Sequence, residues 1–109
     1  MTLTYCLFVE IQKKGQAAVK TIEFPSDGTV TLGPIAEAAF QLPYVRTVEV
    51  RRNEGDFWGR PYMEISKRHS ELADERQLEQ DLRRVLGDAT VDKMYKLREA
   101  YLQGQQINQ

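Results

Sequence analysis

Cysteine and histidine each occur once in the chain, as Cys6 and His69, and these two side chains are the first to weigh for catalysis. His69 stands in Lys67-Arg68-His69-Ser70, with Glu71 and Asp74 close behind, and an imidazole beside a carboxylate is what a general base requires. No nucleophile or metal-ligand spacing accompanies it, so a solvated histidine near a helix start explains the same residues. Cys6 would become a nucleophile if a neighbour lowered its pKa. In a strand it is expected instead to behave as a small buried hydrophobe. The carboxylates Glu49, Glu54, Asp56, Glu71, Asp74 and Glu75 fall in turns and at a helix start, where burial does not split the pKa values of a pair for acid–base work. Glycine-rich phosphate loops, Walker motifs, zinc spacings and nucleophile elbows do not occur. A single cysteine rules out an internal disulfide and a multi-cysteine zinc site. The expectation is a chain that is not an enzyme and uses no metal and no cofactor.

Recognition chemistry is better represented. The segment Phe57-Trp58-Gly59-Arg60-Pro61-Tyr62 concentrates three aromatics around one arginine. Tryptophan, tyrosine and arginine dominate binding hot spots, and a loop carried by a rigid sheet is where they are usually presented. Phe57, Trp58, Arg60 and Tyr62, with Arg51 and Arg52 just upstream, are therefore the expected partner-binding residues, set against the plainer reading that Phe57 and Trp58 plug the end of a core. Arg46, Arg51, Arg52, Arg60, Lys67 and Arg68 surround the same segment, and a basic, aromatic patch of that kind would stack and neutralise single-stranded nucleic acid. Fifteen basic and sixteen acidic side chains give a formal charge of -1, which argues against nucleic acid as the main partner. A second surface is expected on the last helix, where Met94, Tyr95, Tyr101 and Leu102 form a strip suited to homodimerisation.

These residues need a scaffold. At 109 residues, 41% hydrophobic and 28% charged, the chain has the composition of one globular domain. Its apolar runs are only a few residues long and the N-terminus lacks the layout of a secretory signal, so no membrane span and a reducing, cytoplasmic setting are expected. Leu3, Tyr5, Leu7, Val9 and Ile11 alternate with polar neighbours and predict a first strand. Lys13-Lys14-Gly15-Gln16 is a turn leading into a second strand over residues 17–24, which Pro25 is expected to end. Gly33 reads as the N-cap and Pro34 as the first residue of a helix whose stripe is Ile35, Ala36, Ala39, Phe40 and Leu42, stopped by Pro43. Residues 45–52 alternate again, and residues 62–65 would pair back as an edge strand. Asp74-Glu75-Arg76-Gln77 resembles a capping box ahead of Leu78, Leu82, Val85 and Leu86. Gly87 then separates that helix from a last one over residues 89–102.

Strand, turn, strand, turn, helix, strand, with Phe24-Pro25-Ser26-Asp27 leading into the helix, resembles the ubiquitin-like β-grasp superfold over residues 1–65. The resemblance is architectural and implies a fold, not a site. Ubiquitin-like modifiers are conjugated through a C-terminal diglycine, whereas this chain ends Gly104-Gln105-Gln106-Ile107-Asn108-Gln109, so conjugation is not expected. The expected fold is α+β. A mixed sheet of three or four strands packs on one helix (residues 1–66, β-grasp-like), followed by a helical hairpin (residues 70–103). Residues 1–104 make one domain and 105–109 a flexible tail. The expected function is a non-enzymatic protein-binding module acting as an adaptor, scaffold or small inhibitor, with nucleic-acid binding as the alternative.

Overall fold

Period-two alternation in the first half is strong enough to dictate a sheet with one apolar face. In a computed structural model of the chain, residues 3–12, 19–55 and 57–107 are described, the last three by backbone alone. The elements run β1 (Tyr5–Gln12), β2 (Val19–Ser26), α1 (Leu32–Phe40), β3 (Val45–Asn53), β4 (Trp58–Ser66), α2 (Glu75–Leu86) and α3 (Asp88–Ile107). The strands form one sheet in the order β2-β1-β3-β4, and every neighbouring pair is antiparallel. The expected mixed sheet is thus corrected: among the described residues the parallel contact is a single isolated bridge, Gln12 to Leu72. A mixed sheet needs a parallel strand pair, and the chain instead brings β3 back alongside β1 in the opposite sense.

Register stacks the apolar side chains in rows across all four strands. Leu7 pairs with Phe24 on one side and Val50 on the other, and Val50 with Met63; Val9 pairs in the same way with Ile22 and Val48, and Val48 with Ile65. Onto this face pack Leu32, Ile35, Ala36 and Ala39 of α1, Leu78 and Leu82 of α2, and Val91 and Met94 of α3, all in one core cluster. The sequence predicts packing on one helix, yet α1 packs against β3 and β1, α3 against β2, and α2 against both of these helices, all in the same core.

Local chemistry sets the boundaries. Thr31 is the N-cap of α1, so Gly33 and Pro34 are its second and third residues and not the cap and first. Proline is accepted there because the first four helical N–H groups have no intrahelical partner anyway. At the other end Lys67 Nζ donates to the carbonyl oxygens of Phe40 (2.9 Å) and Leu42 (3.0 Å) and sits 4.6 Å from the Phe40 ring centre. A cation is favourable at a helix C-terminus, although burial holds this ammonium below the usual lysine range. Pro25 does not end β2. It pairs with Cys6 inside the strand, which is tolerated because β2 is an edge of the sheet. Ala17, Ala18 and the Lys13-Lys14-Gly15-Gln16 turn lie outside the described residues.

The helical hairpin forms as its caps require. The Asp74 carboxylate accepts the Gln77 N–H at 3.0 Å. Gly87 takes φ 90° between α2 and α3, a conformation in which a side chain would be strained. Arg83, paired with Glu79 of its own helix at 3.1 Å, then ties α2 to α3 through Asp88 (3.2 Å) and Asp92 (2.8 Å). The last helix does not stop near Leu102 but continues through Gly104 to Ile107.

Tyr44 joins the two halves. It is 2% exposed, and its hydroxyl donates to the Asp81 carboxylate at 2.6 Å, with the Gln77 carbonyl oxygen 3.3 Å away. Burial, and then the Asp81 carboxylate that accepts its proton, push the Tyr44 pKa above the ordinary tyrosine value. The folded state therefore keeps a proton that the unfolded chain releases above about pH 10. Tyr44's contribution is fully present below that pH and is lost as pH rises, at about 1.4 kcal/mol per pH unit. Tyr44→Phe should cost about 1 kcal/mol at neutral pH and make the alkaline decline shallower. Urea midpoints measured from neutral pH to about pH 11 check both, since the decline begins near the unfolded tyrosine pKa of about 10.

Candidate functional site

The turn between β3 and β4 is closed by its own backbone and by Asn53. Glu54 N–H donates to Phe57 O at 3.0 Å, and Gly55 N–H to Asn53 Oδ1 at 2.9 Å. Strand β4 begins at Trp58, so most of the aromatic segment expected as a loop is paired sheet. Two register shifts, one between Val50 and Arg51 and one between Arg51 and Asn53, re-aim its side chains. A bulge adds a residue to one strand and turns the next side chain toward the other face.

The six expected binding residues are consequently divided between two faces. Trp58 lies on the face opposite the core, edge-on to Phe8 at 6.5 Å between ring centres and 6.1 Å from Tyr101 of α3. Its indole N–H donates to the Tyr101 hydroxyl at 3.3 Å. Arg51 shares this face: Nε donates to Glu49 at 2.9 Å and Nη1 to the Gly59 carbonyl oxygen at 3.0 Å, with the guanidinium 5.7 Å from the Phe8 ring centre. Trp58 and Arg51 are thus engaged within the fold, which corrects their placement on one recognition loop.

Arg52, Phe57, Arg60 and Tyr62 stay together on the other side, where they line a shallow depression with Tyr5, Glu54 and Gly59. Tyr62 is 77% exposed, Phe57 65% and Tyr5 37%, and the Tyr5 and Tyr62 rings lie 6.0 Å apart. A second depression shares Tyr5 and Tyr62 and continues past Val50 to Thr31, Leu32 and Gly33 at the start of α1. Tyr5 is the residue that the alternation pattern misses. Its odd number assigns it to the core, but it stands at the first position of β1, beyond the cover of the helices.

The expected oligomer strip is also corrected. Met94 is 1% exposed, inside the core. Tyr95 packs edge-on to Phe24 at 5.3 Å, with burial, and then Glu79, lifting its pKa to about 12. Tyr101 is held by Trp58, and Leu102 is half-buried. The strip serves the chain's own sheet because α3 is long enough to serve both faces. The predicted basic ring disperses in the same way: Lys67 closes α1, Arg51 pairs with Glu49, and only Arg52 and Arg60 meet in one depression.

His69 is exposed between β4 and α2. Cys6 is buried between β2 and β3, opposite Pro25 and Arg51, and burial, reinforced by Glu23, pushes its thiol well above the usual cysteine range. Among the described residues no three His, Cys, Asp or Glu side chains form a group that could hold a metal ion, and no helix is long and apolar enough to cross a membrane. No family model, curated protein or solved structure matches the chain.

Two outcomes follow from this geometry. Folded protein at about pH 8.5, the ordinary thiol pKa, should alkylate at Cys6 only as fast as it unfolds, and mass spectrometry in native buffer and in urea measures the protection. Tyr101→Ala should shift the emission of Trp58, the single tryptophan, to longer wavelength as the indole becomes wet, whereas Tyr101→Phe should leave the shift small.

Proposed function

We propose that this chain is a non-enzymatic protein-binding module, an adaptor, scaffold or small inhibitor, that engages its partner with the rim formed by Tyr5, Phe57 and Tyr62 and the arginines Arg52 and Arg60. The observation that carries this reading is the exposure of Phe57 and Tyr62, 65% and 77%, at the end of a closed β-hairpin that no other element covers among the described residues. Large aromatic side chains held on rigid backbone lose little conformational freedom on binding, and beside arginine they have the composition of a hot spot. Arg52 and Arg60 form no ion pair among the described residues, so both are free to meet a partner carboxylate or backbone carbonyl.

Docking proceeds through these side chains and not by strand addition. Pro61 and two bulges interrupt the outer strand β4, and features of that kind blunt an edge against pairing. The same rim could stack a nucleotide or two, but the net charge of -1 favours a protein. The triple variant Phe57→Ser, Tyr62→Ser, Arg60→Ala should keep the parent melting temperature to within about 2 °C, as exposed positions do. Cross-linking and quantitative mass spectrometry in native lysate should show at least about tenfold loss of the captured partner. Unchanged capture overturns the reading, and capture of nucleic acid that disappears with salt replaces it with the alternative.

A further inference from the structure

The face of the sheet turned away from α1 and α2 gathers acid from all the strands. In the row through Phe8, Glu23 of β2 and Glu49 of β3 are its direct partners, and Glu64 of β4 pairs with Glu49. One pleat along β1 stands Glu10, paired with Thr21 and Thr47. A depression on this face is lined by Phe8, Glu10, Thr21, Thr47, Glu49 and Trp58, together with Arg51. Glu10 and Glu49 thus line the depression with the half-exposed Phe8 and Trp58, Glu23 and Glu64 stand next to them in register, and the guanidinium among them is spent on Glu49 and Gly59.

We propose that the part of this face not occupied by Tyr101 of α3 receives a basic, arginine-bearing helix of a partner protein. Charge selects the occupant. The same face of a second copy, a nucleic acid or an anionic lipid surface would be repelled, and an apolar helix would strip water from carboxylates without pairing them. A basic helix supplies guanidinium groups that donate charge-assisted hydrogen bonds to the glutamates and stack on Phe8 and Trp58. Arg51 displays that mode within the fold, 5.7 Å from the Phe8 ring centre and bonded to Glu49 at 2.9 Å.

Spacing fits as well. Glu23 and Glu49 flank β1, so their backbones are separated by two strand spacings, about 10 Å. Residues i and i+7 of a helix rise about 10.5 Å. Glu10 lies about 7 Å further along the strand direction, within reach of an arginine side chain on a helix laid across the sheet. The proposal rests on the reading of the chain as a binding module but uses the opposite face, and the two fail separately.

Trp58 is the single tryptophan and lines this depression, so its emission reports occupancy. The probe is a synthetic helical peptide with arginine at i, i+4 and i+7, compared with the same peptide carrying glutamate at those positions. Expected is a saturable change in Trp58 emission with the arginine peptide, weakened by raising salt from about 50 to 300 mM, and no change with the glutamate peptide. In Glu10→Gln/Glu23→Gln/Glu64→Gln, which leaves the Arg51 partner Glu49 in place, affinity should fall at least about tenfold; in Phe57→Ser/Tyr62→Ser it should not change. Absence of a saturable change, equal affinity in the glutamine variant, or an equal response to the glutamate peptide overturns the proposal. Amide shift mapping on the unaltered protein decides independently of the variants: perturbation centred on β1, β2 and β3 supports the proposal, and perturbation centred on Phe57 and Tyr62 overturns it.

Discussion

Strand β1 pairs on both sides, with Phe24 and Val50 opposite Leu7 and with Ile22 and Val48 opposite Val9, and the placement of every other side chain follows from that double register. Because side chains alternate strictly along a strand, a slip of one residue would move Leu7, Val9 and Ile11 to water and bring Cys6, Phe8 and Glu10 under the helices. Burying Glu10 beneath apolar helices would cost several kcal/mol, so the register has no competitive alternative. The same constraint that packs the core therefore also assembles the opposite face. Glu10, Glu23, Glu49 and Glu64 come from four strands far apart in the sequence and become neighbours because Leu7 and Val9 must be inside.

The helices complete what the sheet begins, and α3 does so on two levels. Val91 and Met94 belong to the core on one face, while Tyr101 touches Trp58 on the other. Tyr101 lies seven positions beyond Met94, a rise of about 10.5 Å, which is close to the roughly 10 Å spacing of packed layers. The helix packs against β2 and so passes one edge of the sheet, leaving β4 as the outer strand at the other. There Pro61 and the bulges limit pairing, so both edges are protected by different means.

Leu7, Val9, Val48 and Val50 announce their strands because their period is two and no bulge interrupts them. Asp74 with Gln77, and Gly87, mark helix ends because capping is local chemistry, readable within four residues. Trp58 is different: its face depends on bulges, which leave no mark in a pattern of apolar and polar residues. Pro25 reads as a stop only until β2 is known to be an edge. Met94 and Tyr101 share a helical stripe, and nothing local tells that one is core and the other lies beyond the sheet edge. Tyr44, whose hydroxyl reaches Asp81 across 37 positions, carries no local signal at all.

Arg51 and Arg52 show why composition is a poor guide to the site. They are adjacent in sequence and identical in chemistry, and the pleat sends them to opposite faces. Arg51 meets Glu49, the Gly59 carbonyl and the Phe8 ring and becomes part of the fold. Arg52, paired in register with Tyr5 at the strand end, lies beyond the helices beside Phe57, Arg60 and Tyr62. A guanidinium engaged by a carboxylate, a carbonyl and a ring has most of its donors and one face occupied, whereas one on an open aromatic rim retains its donors for a partner. Binding capacity is set by what register leaves unspent, which is why one basic-aromatic segment in the chain becomes two surfaces of opposite charge on a single hairpin.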